Sequence, residues 1–292
     1  MTLLLPVPEP LGPTVRLLVA GDWHGEIGWI GTCAKLARRH GCAGILQTGD
    51  FGLWPMRRRG YRDTSAPKIN QGWLTAVGNR MYHQCVWCRF VDGNHDAHPL
   101  ARAAFPAGLD GVRPIVDGLL DWADRGAAWT WCGIRFGALG GAMSADSIDR
   151  VEGRNWWSTE RITDEDVEAL VARGQIDVLI THDVPAGAEP TVSRHIDPRF
   201  APALAASVDD RRRILDAVHR TGARLVLHGH WHTRNSTSIY GADGREVRVE
   251  GFAHDEKGNT DSWGILELPT LRIISGAEAL AEHRQRLAAQ KG

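Results

Sequence analysis

Apolar runs alternate with segments of helical spacing over the first third of the chain. Residues 15–20 form an apolar run ending at Gly21, and 27–40 places Ile30, Cys33, Leu36 and Ala37 on one side of a helix. The pattern recurs with a strand over 43–47 before Gly49, a loop rich in Arg, Gly and Pro, a helix over 69–82 and a strand over 85–91 before Gly93. Strands separated by helices predict parallel pairing. Residues 127–139 read as a hairpin that offers Trp129, Trp131, Ile134 and Phe136 to alternate faces, with Gly133 near the turn. Residues 141–160 carry no clear period. Thr163 followed by Asp166 opens an acidic first turn and predicts a helix to about residue 173. Strands are predicted over 176–180 and 224–227, with a helix over 209–220 between them. Strands over 246–252, 262–268 and 271–274 read as antiparallel, and 277–289 as a terminal helix. With no internal repeat or low-complexity linker, the expected organisation is a Pro-rich tail over 1–14, one domain over 15–275 and a C-terminal helix over 276–292.

Composition narrows the function classes. The 292 residues carry 34 Lys+Arg and 35 Asp+Glu, a net charge of −1, which gives no general attraction to nucleic acid or to a membrane surface. Hydrophobic residues at 43% and charged ones at 24% describe an ordinary globular chain and exclude disorder throughout. No apolar run approaches the roughly 18 residues that would cross a bilayer. The start, without Lys or Arg and broken by four prolines, does not read as a signal peptide. Five cysteines, an odd number in a chain too large to need staples, suggest free thiols and a cytoplasmic location.

Metal-ligand residue types end nearly every expected core strand: Asp22 and His24, Asp50, Asn94 and His95, His182, then His230 and His232. In open α/β sheets the functional crevice lies beyond the carboxyl ends of the strands, so residues far apart in sequence can meet there. Two Asp, four His and one Asn oxygen make a mixed oxygen and nitrogen set without thiolate. That set suits manganese, iron, zinc or nickel better than calcium or magnesium. Seven ligands exceed one tetrahedral zinc. With one bridging carboxylate they divide between two ions about 3.5–4 Å apart, the clamp used for in-line displacement at phosphorus.

The motifs GDWH (21–24), GD (49–50), GNHD (93–96), THDVP (181–185) and HGHWH (228–232) occur in this order, and the chain closely resembles the calcineurin-like metallophosphoesterases. The resemblance extends to uncharacterised bacterial and phage members and spans roughly residues 16–232. It implies an α/β fold, a four-layer αββα sandwich of two mixed sheets flanked by helices, with the Trp-bearing hairpin and the late strands forming the second sheet. It also implies Asp22, His24 and His232 on one metal, Asn94, His182 and His230 on the other, and Asp50 bridging both. The implied reaction is in-line attack by a metal-bridging hydroxide, with His95 near the leaving-group oxygen. Asp96 is expected to orient His95 and hold it charged. The implied cofactors are two divalent or trivalent ions, manganese first.

The protein Ser/Thr phosphatase branch follows its bridging Asp with an Asp-Arg-Gly element, whereas here Phe51 to Met56 follow. Arg57, Arg58 and Arg59 could clamp phosphate, though an arginine run in a loop reads more simply as solvated surface. Arg211, Arg212 and Arg213 on a helix read the same way. Cys85 and Cys88 form a lone CxxC expected on a buried strand, not a redox or zinc motif. His98, His228, His254 and Asp183 are expected behind the ligands or at the surface. Trp156 and Trp157 could stack a base or fill the second sheet. The expected function is a phosphodiesterase acting on a small, nucleotide-like phosphate ester. The alternatives, in order, are a phosphomonoesterase, a nuclease and a non-catalytic scaffold.

Overall fold

The computed structural model describes residues 14–55, 68–191, 197–255 and 259–290. The first part of the chain runs β1 (Val15–Ala20), α1 (Ile27–Arg39), β2 (Cys42–Gln47), α2 (Gln71–Gln84), β3 (Trp87–Phe90), α3 (His98–Ala104), β4 (Val112–Val116) and β5 (Leu120–Ala123). It continues through β6 (Ala128–Trp131), β7 (Ile134–Leu139), α4 (Asp164–Val171), β8 (Val178–Thr181), α5 (Ala201–Thr221) and β9 (Leu225–His228). The last elements are β10 (Asn235–Tyr240), β11 (Glu246–Gly251), β12 (Trp263–Leu268), β13 (Arg272–Ser275) and α6 (Gly276–Ala289).

The strands form a seven-stranded sheet, β13-β12-β1-β2-β3-β5-β4, and a six-stranded sheet, β10-β11-β9-β8-β7-β6. Both are mixed. In the first, β1, β2, β3 and β5 pair in parallel while β12, β13 and β4 run antiparallel to their neighbours. In the second, β7, β8, β9 and β11 are parallel, with β6 and β10 antiparallel at the edges.

Alternation along the strands explains the layering. Leu17 and Val19 of β1 share one core with Phe136, Ile180 and Leu227 of the second sheet, so the sheets face each other. Leu18 and Ala20 point the other way, into a core with Ile30 and Cys33 of α1, Val77 and Met81 of α2, and Ala279 of α6. The outer face of the second sheet, with Leu139, Leu179 and Val226, packs on Val167 and Leu170 of α4 and Ile214 and Val218 of α5. The architecture is the expected αββα sandwich.

The late strands depart from expectation. β12 and β13 join the first sheet because β12 pairs residue by residue with β1, from Val15 opposite Leu268 to Ala20 opposite Trp263, and only β10 and β11 extend the second. Cys85 is not on β3 but is the exposed left-handed cap of α2, while Cys88 is buried, so the CxxC thiols occupy different environments. The Thr163 capping box forms as expected, with the Asp166 N–H donating to Thr163 Oγ1 and the Thr163 N–H to Asp166 Oδ2. Among the described residues no helix is long and apolar enough to cross a membrane.

Candidate metal centre

The expected ligands meet where β1, β2 and β3 of one sheet and β8 and β9 of the other end. The turns that carry them are strained. His24, Asp50, His230 and His232 have φ of 43°, 52°, 66° and 54°, four of the seven non-glycine residues with positive φ among those described. Left-handed backbone costs an L-residue with a Cβ on the order of 1–2 kcal/mol and persists only where neighbours over-determine it. Here the N–H groups of Trp23 and His24 both donate to the Asp50 carbonyl, at 3.0 and 2.8 Å. The His95 N–H donates to Asp50 Oδ1 at 2.7 Å and the His230 N–H to Asp22 Oδ1 at 3.0 Å. The motif glycines permit this crowding: a Cβ on Gly93 would sit 2.2 Å from Asp50 Oδ1, and one on Gly229 would sit 2.1 Å from Asp22 Oδ1.

Donor chemistry at the centre calls for a cation. His182 Nδ1 lies 2.8 Å from the Thr48 carbonyl, which can only accept, so Nδ1 carries the hydrogen. Asn94 Nδ2 donates to Ser144 Oγ at 3.1 Å, which turns Asn94 Oδ1 inward. His182 Nε2 therefore faces Asn94 Oδ1 at 3.2 Å and Asp50 Oδ1 at 3.3 Å. Three acceptors converge, and a proton or a metal must lie between them. The His230 ring is 5.0 Å from that of His182. On the other side of Asp50, His24 Nε2 is 3.5 Å from Asp50 Oδ2 and His232 Nε2 is 3.1 Å from Asp22 Oδ2. Three groups have ligand atoms all within 4.8 Å of one another and could hold a metal: Asp22, His24 and His232; His24, Asp50 and His95; Asp22, Asp50 and His182.

Electrostatics agree. Burial alone would raise Asp22 and Asp50, which are 0% and 1% exposed, yet the surrounding histidines hold both below the usual carboxylate range. Burial pulls His24 and His182 down, but the Asp50 carboxylate outweighs it and raises them to about 9 and about 10. The buried carboxylates thus require positive charge beside them, which metal ions can supply in place of histidine protons.

A family model of the calcineurin-like phosphoesterases matches residues 15–234. The chain belongs to the calcineurin-like phosphoesterases. It is accordingly a metal-dependent hydrolase of phosphate esters. The protein TT1561 of Thermus thermophilus is similar in fold, with a TM-score of 0.54 at 13% identity, covering 90% of this chain and 98% of that one. The NAD nucleotidase NadN of Haemophilus influenzae aligns with a TM-score of 0.43 at 13% identity, over 90% of this chain and 55% of that one. No curated protein matches the sequence.

Around the centre of this phosphoesterase, two expectations change. Asp96 does not orient His95: its carboxylate accepts from the N–H groups of Phe51, Gly52, Leu53 and Gly93 at 2.7–3.1 Å, locking the loop after Asp50 to the GNHD loop. All four donors are backbone groups that burial leaves no other partner. His95 instead faces Arg150, whose Nη2 lies 2.9 Å from Nε2 and Nη1 3.3 Å from Nδ1. Burial first, then the Arg150 charge, lowers His95 to about 4 against the opposing Asp50 carboxylate, the opposite direction from that expected of a ring held charged.

Trp157 is buried in the helix-side core of the first sheet, so it fills a layer and is not placed to stack a base, whereas Trp156 is half-buried. Arg211 is not a fully solvated residue; it lies over the Trp231 ring at 5.6 Å. His98, His228 and Asp183 are buried behind the ligands. His254 stands 4.6 Å from the His232 ring, and the carboxylate of its neighbour Asp255 lies 3.0 Å from His24 Nδ1. Arg57, Arg58 and Arg59 lie outside the described residues.

Ser144, Glu160, Arg150 and Asp255 also reach the site, although none belongs to the strand-end motifs. Glu160 accepts from the Ser144 N–H at 2.6 Å and pairs with its hydroxyl at 2.7 Å, completing a buried Asn94–Ser144–Glu160 chain that fixes the Asn94 amide. Burial raises Glu160 to about 7. Three of these residues come from the aperiodic 141–160 stretch, and no local signal marks them.

Proposed function

We propose that this phosphoesterase holds two metal ions and hydrolyses small phosphate esters, with Asp22, His24 and His232 on one ion, Asn94, His182 and His230 on the other, and Asp50 shared. The observation that carries the reading is the convergence of His182 Nε2, Asn94 Oδ1 and Asp50 Oδ1 at 3.2–3.3 Å, a set that needs a cation at its centre, either a proton on Nε2 or a metal ion in its place, beside the Asp22, His24 and His232 group. Nitrogen and oxygen donors without thiolate favour manganese, with iron, zinc or nickel as alternatives. When bound, the ions supply an activated water and neutralise charge on the phosphoryl oxygens.

The protein's own residues supply the rest. Thr48 fixes the His182 tautomer, Asp255 faces the far nitrogen of His24, and Ser144 with Glu160 orients Asn94. Such partners typically change metal affinity or activity about 10–100-fold when removed. His95 stands beside Asp50 and His24, where it can meet the leaving-group oxygen. A nucleotide-like diester or monoester fits this chemistry; a nucleic acid polymer finds no excess of positive charge in a chain of net −1. The free cysteines fit work in a reducing compartment such as the cytoplasm.

The test is hydrolysis of bis-aryl and mono-aryl phosphates by metal-stripped protein before and after manganese is added back. Silence when stripped and recovery with manganese is the expected result. Turnover undiminished by stripping, or none with either ester once two ions are bound, overturns the proposal.

A further inference from the structure

Arg150 is held to the site by an unequal pair of contacts. Its Nε and Nη2 grip the Asp146 carboxylate, with Nε 2.7 Å from Oδ1 and Nη2 3.0 Å from Oδ2, a well-matched fork. Its other edge, Nη1 and Nη2, faces both ring nitrogens of His95 at 3.3 and 2.9 Å. That second match is poor. An imidazole has at most one acceptor nitrogen in either protonation state, so at least one guanidinium N–H must point at another hydrogen. Nη1 also reaches the Asn155 carbonyl, at 3.4 Å. The Arg150 side chain is 10% exposed, so this edge has little water to satisfy it, while Asp146 on its other side is 45% exposed.

What suits a planar edge of two cationic N–H groups is a pair of anionic oxygens about as far apart as those of a phosphoryl group. The edge already lies where such a group would be: His95, against which it rests, has a ring nitrogen within 4.8 Å of ligand atoms of His24 and Asp50, and its own N–H is on Asp50. The short turn Ser147–Asp149 that precedes Arg150 sits on the surface, with Ile148 58% exposed, so the guanidinium can pivot about Asp146 without opening the core.

We infer that Arg150 is the substrate-binding arginine of this site, leaving His95 to clamp the free oxygens of the phosphoryl group, and that it biases the enzyme toward phosphate monoesters. The inference rests on the phosphoesterase reading above. A monoester presents a dianion and a third free oxygen, so an added fixed positive charge gains more from it than from the monoanion of a diester. When Arg150 turns to the phosphate, His95 is freed to meet the leaving-group oxygen.

The test compares wild type, Arg150→Ala, Arg150→Lys and Asp146→Asn, all loaded with manganese, on 4-nitrophenyl phosphate and bis(4-nitrophenyl) phosphate. Calorimetric titration with inorganic phosphate and a metal count accompany the kinetics. The expected result is a fall in kcat/KM of Arg150→Ala by about 10²-fold on the monoester and no more than about tenfold on the diester. Phosphate binding weakens at least about tenfold, metal content stays unchanged, Lys recovers part of the loss because it lacks the fork, and Asp146→Asn loses less than Arg150→Ala. Equal losses on both esters, or unchanged phosphate binding in Arg150→Ala while wild type is active, overturn the inference alone. A wild type that hydrolyses neither ester with two ions bound overturns the phosphoesterase reading itself.

Discussion

Asp96→Asn separates two roles for the residue after His95. In the structure Asp96 Oδ1 accepts from the N–H groups of Gly52 and Leu53 at 2.8 and 2.7 Å, and Oδ2 from those of Phe51 and Gly93 at 3.1 and 2.9 Å. Asp96 is 1% exposed, as is Leu53, and Phe51 is fully buried. An asparagine can place its one oxygen toward either pair, and its NH₂ then points at two N–H groups. A buried donor left without a partner costs about 1–3 kcal/mol, so two cost about 2–6 kcal/mol. In a chain of this size that lowers Tm by roughly 3–10 °C. The measurement is thermal unfolding of metal-free wild type and Asp96→Asn at pH 8. That pH lies above the value of about 7 to which burial, with the Asp50 charge, pushes Asp96. The loop so anchored carries Asp50, so metal affinity is expected to fall in parallel. A variant as stable as wild type, with only its pH–rate profile moved, would refute the clamp and return Asp96 to a role through His95.

Two further outcomes follow from groups distant from the metal ligands or behind them. Arg125 and Asp92, both with side chains 1% exposed, form a buried ion pair at 2.7 Å, and Arg125 also donates to the carbonyls of Thr159, Glu160 and Arg161. Arg125→Met strands the Asp92 charge and is expected to cost about 3–5 kcal/mol by denaturant unfolding, with Asp92→Leu in the same chain recovering much of it; a double variant no more stable than the single contradicts this. His40, 3% exposed and without a hydrogen-bond partner for either ring nitrogen among the described residues, is lowered to about 4 by burial first and then by the neighbouring charges of His283 and Arg286. The unfolded chain takes up that proton near pH 6.5 and the folded one does not, so stability is full above about pH 6.5 and falls as pH drops toward 4. His40→Phe is expected to flatten this acid limb in Tm against pH; parallel curves for variant and wild type would contradict it.

The residues that end strands were readable in the sequence because a glycine and a polar ligand type break an apolar run abruptly, as at Gly49 and Asp50 or Gly229 and His230. The capping box at Thr163 was readable for the same local reason. Sheet membership was not. β12 belongs to the first sheet through its register with β1, a pairing across the whole chain that alternation does not encode. β10, with the sequence Asn-Ser-Thr-Ser-Ile-Tyr, gives no strand signal because an edge strand needs little apolar surface. β4 contains Pro114, which argues against a strand except at the edge where it lies. α5 extends back to Ala201 through an Ala-rich turn with Pro202 near its start, a signal present but overshadowed by the charged stretch from Asp209. Ser144, Arg150 and Glu160 were invisible because residues 141–160 are mostly irregular. Their position comes from Arg125 gripping the carbonyls of residues 159–161 and from Glu160 meeting Ser144, contacts without a period.

Asp50 is proposed to join a pair of ions. The most direct test counts metal by plasma mass spectrometry in manganese-loaded wild type, Asp50→Asn and His95→Ala. Two ions per chain in wild type and in His95→Ala, with both sites depleted in Asp50→Asn and turnover lost in His95→Ala, is the expected result. One ion in wild type, or an undisturbed pair in Asp50→Asn, would contradict it.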